Sequence, residues 1–146
     1  MSRHLTELRS LVGRPVQTDE ILSLEETEVV RVQSTGVIRA QAWREEIRFA
    51  EKAESRFLDL VRAIGVLNPS LVYIWTPLSN ICGLLRPVMM NKINFAFDFG
   101  INADGVLSII TEDFQNELLF DFFEDESGEE MLDIRVSGKH WGAVKY

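Results

Sequence analysis

The sequence has 146 residues, 46% of them apolar and 26% charged, with a formal net charge of −8. That length predicts one domain over residues 1–146 with a sizeable core, and the composition excludes wholesale disorder. One cysteine, Cys82, excludes an intramolecular disulfide framework and a multi-cysteine zinc site, and the acidic balance excludes the basic footprint of a protein that follows nucleic-acid phosphates.

The first twelve residues predict a helix, because their apolar side chains recur at three- and four-residue spacing. These side chains are Leu5, Leu8, Leu11 and Val12. The helix is expected to end at Gly13-Arg14-Pro15. Residues 16–40 leave two alternatives open, since residues 28–33 suit a helix nearly as well as a short strand.

Residues 41–64 are predicted to form one long helix. Their apolar positions follow helical spacing, and charged residues occupy the other face. The apolar positions are Trp43, Ile47, Ala50, Phe57, Val61 and Ile64. Gly65, followed by Asn68-Pro69, is expected to end the helix. Residues 71–75 are rich in β-branched and aromatic side chains and predict a short strand, and residues 78–91 predict a turn of helix and a packed loop.

The last third of the chain predicts an antiparallel meander. In residues 93–101 every odd position is large and apolar, which is the period-two pattern of a half-buried strand. Residues 102–105 predict a hairpin turn, because Gly105 can take positive φ. Further strands are predicted over residues 106–111, 118–123 and 131–136. Helices followed by consecutive strands predict an α+β fold, with an antiparallel sheet formed mainly by the C-terminal half and N-terminal helices packed on one face.

The negative charge is concentrated in one interval of the sequence. Residues 111–134 hold ten acids and neither lysine nor arginine. The other 13 acids face 15 bases, so the remainder of the chain is close to neutral. Such clustering creates a negative potential that attracts a cationic partner and accelerates encounter.

Seven acids in or beside the predicted turn at residues 124–128 form the candidate partner-binding set. They are Asp121, Glu124, Asp125, Glu126, Glu129, Glu130 and Asp133. Solubility alone is the competing explanation for an acidic turn. The same strands hold four phenylalanines. Most of them are expected in the core, and one or two beside carboxylates are candidates to anchor an interface. They are Phe114, Phe120, Phe122 and Phe123.

Motifs for catalysis, metal binding or phosphate binding are not found in the sequence. His4 and His140 stand far apart without partners at metal-ligand spacing. An EF-hand loop with Gly128 at its sixth position has Phe123 at its first, where calcium needs an oxygen donor. Cys82 lies among apolar residues and is expected to be structural. The sequence therefore predicts no catalytic residue, no cofactor and no metal.

The compartment is predicted from what the chain lacks. The charged N-terminus has no apolar signal-peptide core. Arg86, Asp98 and Asp121 interrupt the longest apolar stretches before they reach membrane-spanning length. A lone thiol and no export signal favour the cytoplasm and predict no membrane association. A partner-delivered or signal-independent secreted protein has the same features and stays as an alternative.

The layout and the C-terminal segment resemble a known class of proteins. The chain has an acidic α+β layout without catalytic motifs and ends, over residues 136–146, in Val-Ser-Gly-Lys-His-Trp-Gly-Ala-Val-Lys-Tyr. In these features it resembles bacterial polymorphic-toxin immunity proteins of the contact-dependent growth inhibition type. The resemblance implies a protein that binds a cognate toxin domain, commonly a basic nuclease, and blocks its active site or a neighbouring exosite.

We therefore expect a non-enzymatic inhibitor that binds a cationic toxin through its acidic segment, without direct contact to nucleic acid. The oligomeric state is left open. Two other classes remain as alternatives. One is a small-molecule-binding, enzyme-like domain. In that case residues 93–101, together with Tyr73 and Trp75, line its pocket. The other is a secretion chaperone or adaptor that exposes an apolar groove.

Overall fold

A computed structural model describes residues 1–67 and 70–146. The helices are α1 (Ser2–Val12), α2 (Leu24–Thr35), α3 (Ser55–Leu67) and α4 (Ser79–Cys82). The strands are β1 (Gln41–Arg48), β2 (Leu71–Trp75), β3 (Val88–Met89), β4 (Val106–Thr111), β5 (Glu117–Glu124) and β6 (Glu130–Ser137). Within this part of the chain the six strands form one antiparallel sheet in the order β1-β6-β5-β4-β2-β3, and no helix is long and apolar enough to cross a bilayer. The α+β fold predicted from the sequence is thereby confirmed.

Local chemistry marks the end of α1 and the start of α2. Gly13 ends α1 with φ of 68°, and its N–H donates to the carbonyl of Arg9. At the start of α2 the Ser23 hydroxyl accepts from the Glu26 N–H, and the Glu26 carboxylate accepts from the Ser23 N–H. This capping box favours the helix at residues 28–33, where the sequence left a strand open.

The helix predicted over residues 41–64 is wrong in its first half, which forms β1 and a 3-10 turn at Phe49–Ala53. Trp43 and Ile47 stand four apart, a spacing that keeps two residues on one face of a helix or of a strand. β1 pairs with β6 from Gln41 to Arg48, and this pairing selects the strand. Asn68 and Pro69, expected to end the helix, lie outside the described residues.

The strand predicted at residues 93–101 is also wrong, although the alternation of its side chains is right. Odd-numbered side chains are buried or half-buried, and even-numbered ones are exposed. Within the described residues the segment joins no ladder, and both edges of β4, its predicted hairpin partner, are occupied by β5 and β2. Two of its carbonyls, those of Phe95 and Phe97, accept hydrogen bonds from the Lys52 ammonium instead.

The turn at residues 102–105 is present, but it joins this extended segment to β4 rather than closing a hairpin. The Asn102 Oδ1 accepts from the Gly105 N–H at 2.8 Å. Gly105 has φ of 64°, and a Cβ there would collide with the carbonyl oxygen of Phe122. Glycine is therefore required at this turn for conformation and for space.

Most apolar side chains form one core between α1, α3 and a single face of the sheet. Its most deeply buried members include Leu8, Leu11, Phe57, Ile64, Leu107, Ile109, Phe120, Ile134 and Trp141. A smaller cluster of Leu22, Val30 and Leu84 packs against Tyr73 and Trp75. These two aromatics alternate along β2 with Val72 and Ile74 of the main core, so they occupy the opposite sheet face.

Candidate partner-binding surface

The hairpin of β5 and β6 extends beyond its neighbours in the sheet. The register of β4 on β5 reaches only Asp121, and that of β1 on β6 begins at Met131. Residues 123–130 are all exposed. We call residues 124–130 the tip. Its side chains face solvent and do not support the core.

Five of the seven predicted partner-binding acids lie at the tip. They are Glu124, Asp125, Glu126, Glu129 and Glu130. Glu124 lies directly opposite Glu130, and like charges at this spacing repel. Within the described parts of the chain, the four glutamates of the tip form no ion pair with lysine or arginine.

Asp125 differs from the tip glutamates because its carboxylate shapes the turn. Its Oδ1 accepts from the Ser127 hydroxyl at 2.6 Å, the Ser127 N–H at 2.9 Å and the Glu129 N–H at 3.0 Å. These hydrogen bonds, the one from the Ser127 hydroxyl foremost, lower the pKa of Asp125. This carboxylate is therefore committed to local structure.

Asp121 and Asp133 lie on the sheet face opposite the main core, where arginines already pair with them. Asp133 is 2% exposed and accepts from the Arg44 Nε at 2.8 Å and the Arg135 Nε at 3.1 Å. Arg135 also lies 3.9 Å from an Asp121 oxygen. Arg44 and Arg135, both outside residues 111–134, thus neutralise these two carboxylates in part, and Asp133 offers a partner almost no surface.

The Arg44–Asp133 pair could not be read from the sequence. Arg44 belongs to β1, which its apolar spacing assigned to a helix, so nothing placed it beside β6. Arg135 follows Asp133 by two positions on the same strand and was the one local signal of charge compensation.

Phe123 is an exposed apolar side chain that directly precedes the tip. It is 40% exposed and lies opposite the half-buried Met131. Phe120 and Phe122 lie in the main core, and Phe114 packs against the smaller cluster. Of these four phenylalanines, Phe123 is the exposed one, and it adjoins tip glutamates that form no ion pair among the described residues.

The residues expected to line a small-molecule pocket are not brought together. Phe95 and Phe97 lie in the main core, whereas Tyr73 and Trp75 pack on the opposite sheet face. A different, open groove of about 430 Å³ lies between α3 and residues 90–96. Its lining is mainly apolar and includes Leu58, Val61, Val66 and Met90.

Over residues 1–67 and 70–146, no three His, Cys, Asp or Glu side chains gather in a group that could hold a metal ion. Comparisons of the chain with protein-family models, with curated proteins and with solved structures find no match. The geometry of the tip is therefore what bears on function.

Proposed function

We propose that this protein is a non-enzymatic immunity protein that neutralises a cationic toxin domain through the tip of the β5–β6 hairpin. The observation that carries the proposal is a set of four exposed glutamates without a counter-ion in the described residues. They are Glu124, Glu126, Glu129 and Glu130. A basic partner attracts these glutamates and also screens their mutual repulsion, and both effects favour binding.

The proposed contact set is narrower than the seven acids expected from the sequence. Asp125 holds the turn, and Asp121 and Asp133 lie beside Arg135 on the sheet face. The four tip glutamates remain, together with the exposed ring of Phe123. A mixed surface of this kind combines charged contacts with an aromatic anchor.

Inhibition follows from the charge of the tip. The net charge of −8 steers a basic protein toward the chain before contact. At contact, hydrogen bonds from arginine or lysine to desolvated carboxylates are short and strong. In a nuclease, the tip carboxylates take the place of nucleic-acid phosphates in the basic groove. The half-buried free thiol of Cys82 suits the reducing cytoplasm, where such a toxin acts.

Charge reversal at the tip tests the proposal. The variant E124K/E126K/E129K/E130K is expected to bind the product of the neighbouring gene about a hundredfold more weakly, or worse. Co-purification gives the qualitative result, and titration calorimetry measures the affinity. Thermal unfolding checks that the variant folds.

The matched control reverses four exposed acids elsewhere on the chain, as D19K/D59K/D104K/E112K. Both variants change the net charge equally, so a partner that recognises the tip discriminates between them. Unchanged affinity in the tip variant contradicts the proposal. Equal losses in both variants contradict it as well, because they indicate attraction to overall charge.

A further inference from the structure

The edge strand β1 carries a charge pattern that is complementary to itself. Arg44, Glu46 and Arg48 alternate with Trp43 and Ile47 and lie on the sheet face of Asp133. On its outer side β1 has no strand partner among the described residues. The opposite edge of the sheet is β3, which is two residues long. β1 is therefore the edge at which the sheet can be extended.

Like charges run in rows across this face of the sheet. Glu46 lies opposite Asp133, and Asp133 lies opposite Asp121, which makes an acidic row. In the next row Arg44 lies opposite Arg135. Like charges directly opposed across strands are unfavourable, and the diagonal Arg44–Asp133 pair offsets part of this cost. Both rows end at the outer edge of β1.

We propose that two copies of the chain associate through antiparallel β1 strands, with the two-fold axis at Glu45, to form one continuous sheet. Arg44 of each copy then lies opposite Glu46 of the other. The acidic row of one copy thereby continues into the arginine row of its partner. On the core face Trp43 lies opposite Ile47, and backbone groups of the free edges gain ladder partners.

The side chains that this contact needs are available. The Arg44 side chain is 54% exposed and bonds Asp133 through Nε. Within the described residues its terminal nitrogens make no hydrogen bond, so they are available to a carboxylate of the second copy. Glu46 is exposed and makes no ion pair in the described parts of the chain. Charges on an edge strand deter pairing with arbitrary strands. An alternating pattern lifts that barrier for an identical strand.

Three other registers are less favourable. An axis at Arg44 or at Glu46 places like charges opposite one another. An axis at Ile47 opposes Glu46 and Arg48, but it pairs only residues 46–48 of each copy because β1 ends there. The axis at Glu45 pairs residues 42–48 and leaves one unfavourable contact, that of Glu45 with its own copy. This self-association does not depend on the proposed function.

Analytical ultracentrifugation of the full chain tests the proposal. The wild type is expected to dimerise with a Kd of about 1–100 µM, as suits a small interface. The variant E46K places lysine opposite Arg44 of the other copy and weakens the dimer about tenfold or more. E45Q removes the repulsion on the axis and tightens the dimer severalfold, which the axis at Ile47 does not predict.

The charge swap R44E/E46R is the decisive variant. R44E sets a carboxylate opposite Arg135 and E46R sets a guanidinium opposite Asp133, so the fold is retained. The edge remains complementary to itself, and the dimer is expected to persist within about threefold of the wild-type Kd. D59K, at an exposed site on α3, is the control without effect. A wild type that stays monomeric at about 1 mM, an E46K dimer of unchanged affinity, or a charge swap that dissociates overturns the proposal.

Discussion

The buried residue Lys52 shows how one side chain can take the place of a strand. It is 6% exposed, and its Nζ donates to the carbonyls of Phe95 at 2.6 Å and Phe97 at 2.9 Å. The same nitrogen lies 4.0 Å from the centre of the Phe97 ring. Lys52 thus satisfies backbone groups that a neighbouring strand would otherwise satisfy, and it holds residues 93–101 against the core.

We expect K52M to lower the free energy of unfolding by about 2–4 kcal/mol, because two carbonyls lose their donor while the apolar contacts are largely kept. Urea unfolding at pH 7 measures the loss. K92M, at an exposed lysine, is the control and should change stability by less than about 0.5 kcal/mol. Equal unfolding midpoints for K52M and wild type would show that the two hydrogen bonds do not hold the segment.

The pKa of Lys52 predicts how the stability difference between the wild type and K52M depends on pH. Burial lowers the pKa of Lys52 from 10.5 to about 8, so the unfolded chain holds this proton more tightly between those values. The wild type should therefore gain stability relative to K52M as the pH rises from about 8 to about 10.5. A constant difference across that range contradicts the assignment.

At the scale of elements, the sequence is sufficient where both ends of an element have local signals. Gly13 ends α1 as predicted, and β4 occupies the predicted residues 106–111. The sequence alone is not sufficient where strand pairing decides the secondary structure. The spacing of Trp43 and Ile47 fits two structures, and only β6 selects between them. Residues 93–101 have the side-chain pattern of a strand, but β4 has no free edge to offer them.

In the candidate site, too, features with local causes can be predicted from the sequence, and features that depend on distant segments cannot. The turn of the tip is predictable from the sequence because it has local causes, the Asp125 hydrogen bonds and the positive φ of Gly128. The burial of Asp133 could not be predicted, since it depends on Arg44 from a strand far away in sequence. Contacts between segments distant in sequence determine which carboxylates are paired with arginine, and composition alone does not show this.

Two glycines of positive φ give a prediction at this scale. G105A is expected to cost about 2–4 kcal/mol, because the new methyl group is strained and collides with the carbonyl oxygen of Phe122 on β5. At Gly128, with φ of 86°, a Cβ would have no atom within 4 Å, so G128A should cost only about 1 kcal/mol. Chemical denaturation of both variants measures the difference, and similar losses would contradict the packing at residues 102–105.

At the scale of the whole molecule, His4 joins segments that are distant in sequence. Its side chain is fully buried, and its Nε2 lies 2.7 Å from the carbonyl oxygen of Gly83 at the end of α4. Burial lowers the pKa of His4, so the neutral ring with a proton on Nε2 is favoured. Protonation adds an N–H at Nδ1, which has no partner among the described residues. Acid therefore weakens the docking of α1.

The expected consequence is a loss of stability in mild acid. The pKa of His4 in the folded chain lies below its unfolded value of 6.5, so its contribution is complete above about pH 6.5 and declines as the pH falls below that value. H4M should lose less stability than the wild type between pH 7.5 and pH 5.5 in urea titrations. H140Q, at an exposed histidine, should keep the wild-type pH dependence. Identical pH dependence in H4M and wild type contradicts this role.

Residues 124–130 have a freedom that the packed parts of the described chain lack. Apart from Asp125, Ser127 and Gly128, which form the bend, they can be exchanged without disturbing the packed interior. Under the proposed function, a few substitutions in this one loop are enough to change which toxin the protein recognises. Recognition then depends on the tip and folding depends on the packed core, so rapid sequence change at the tip need not destabilise the fold.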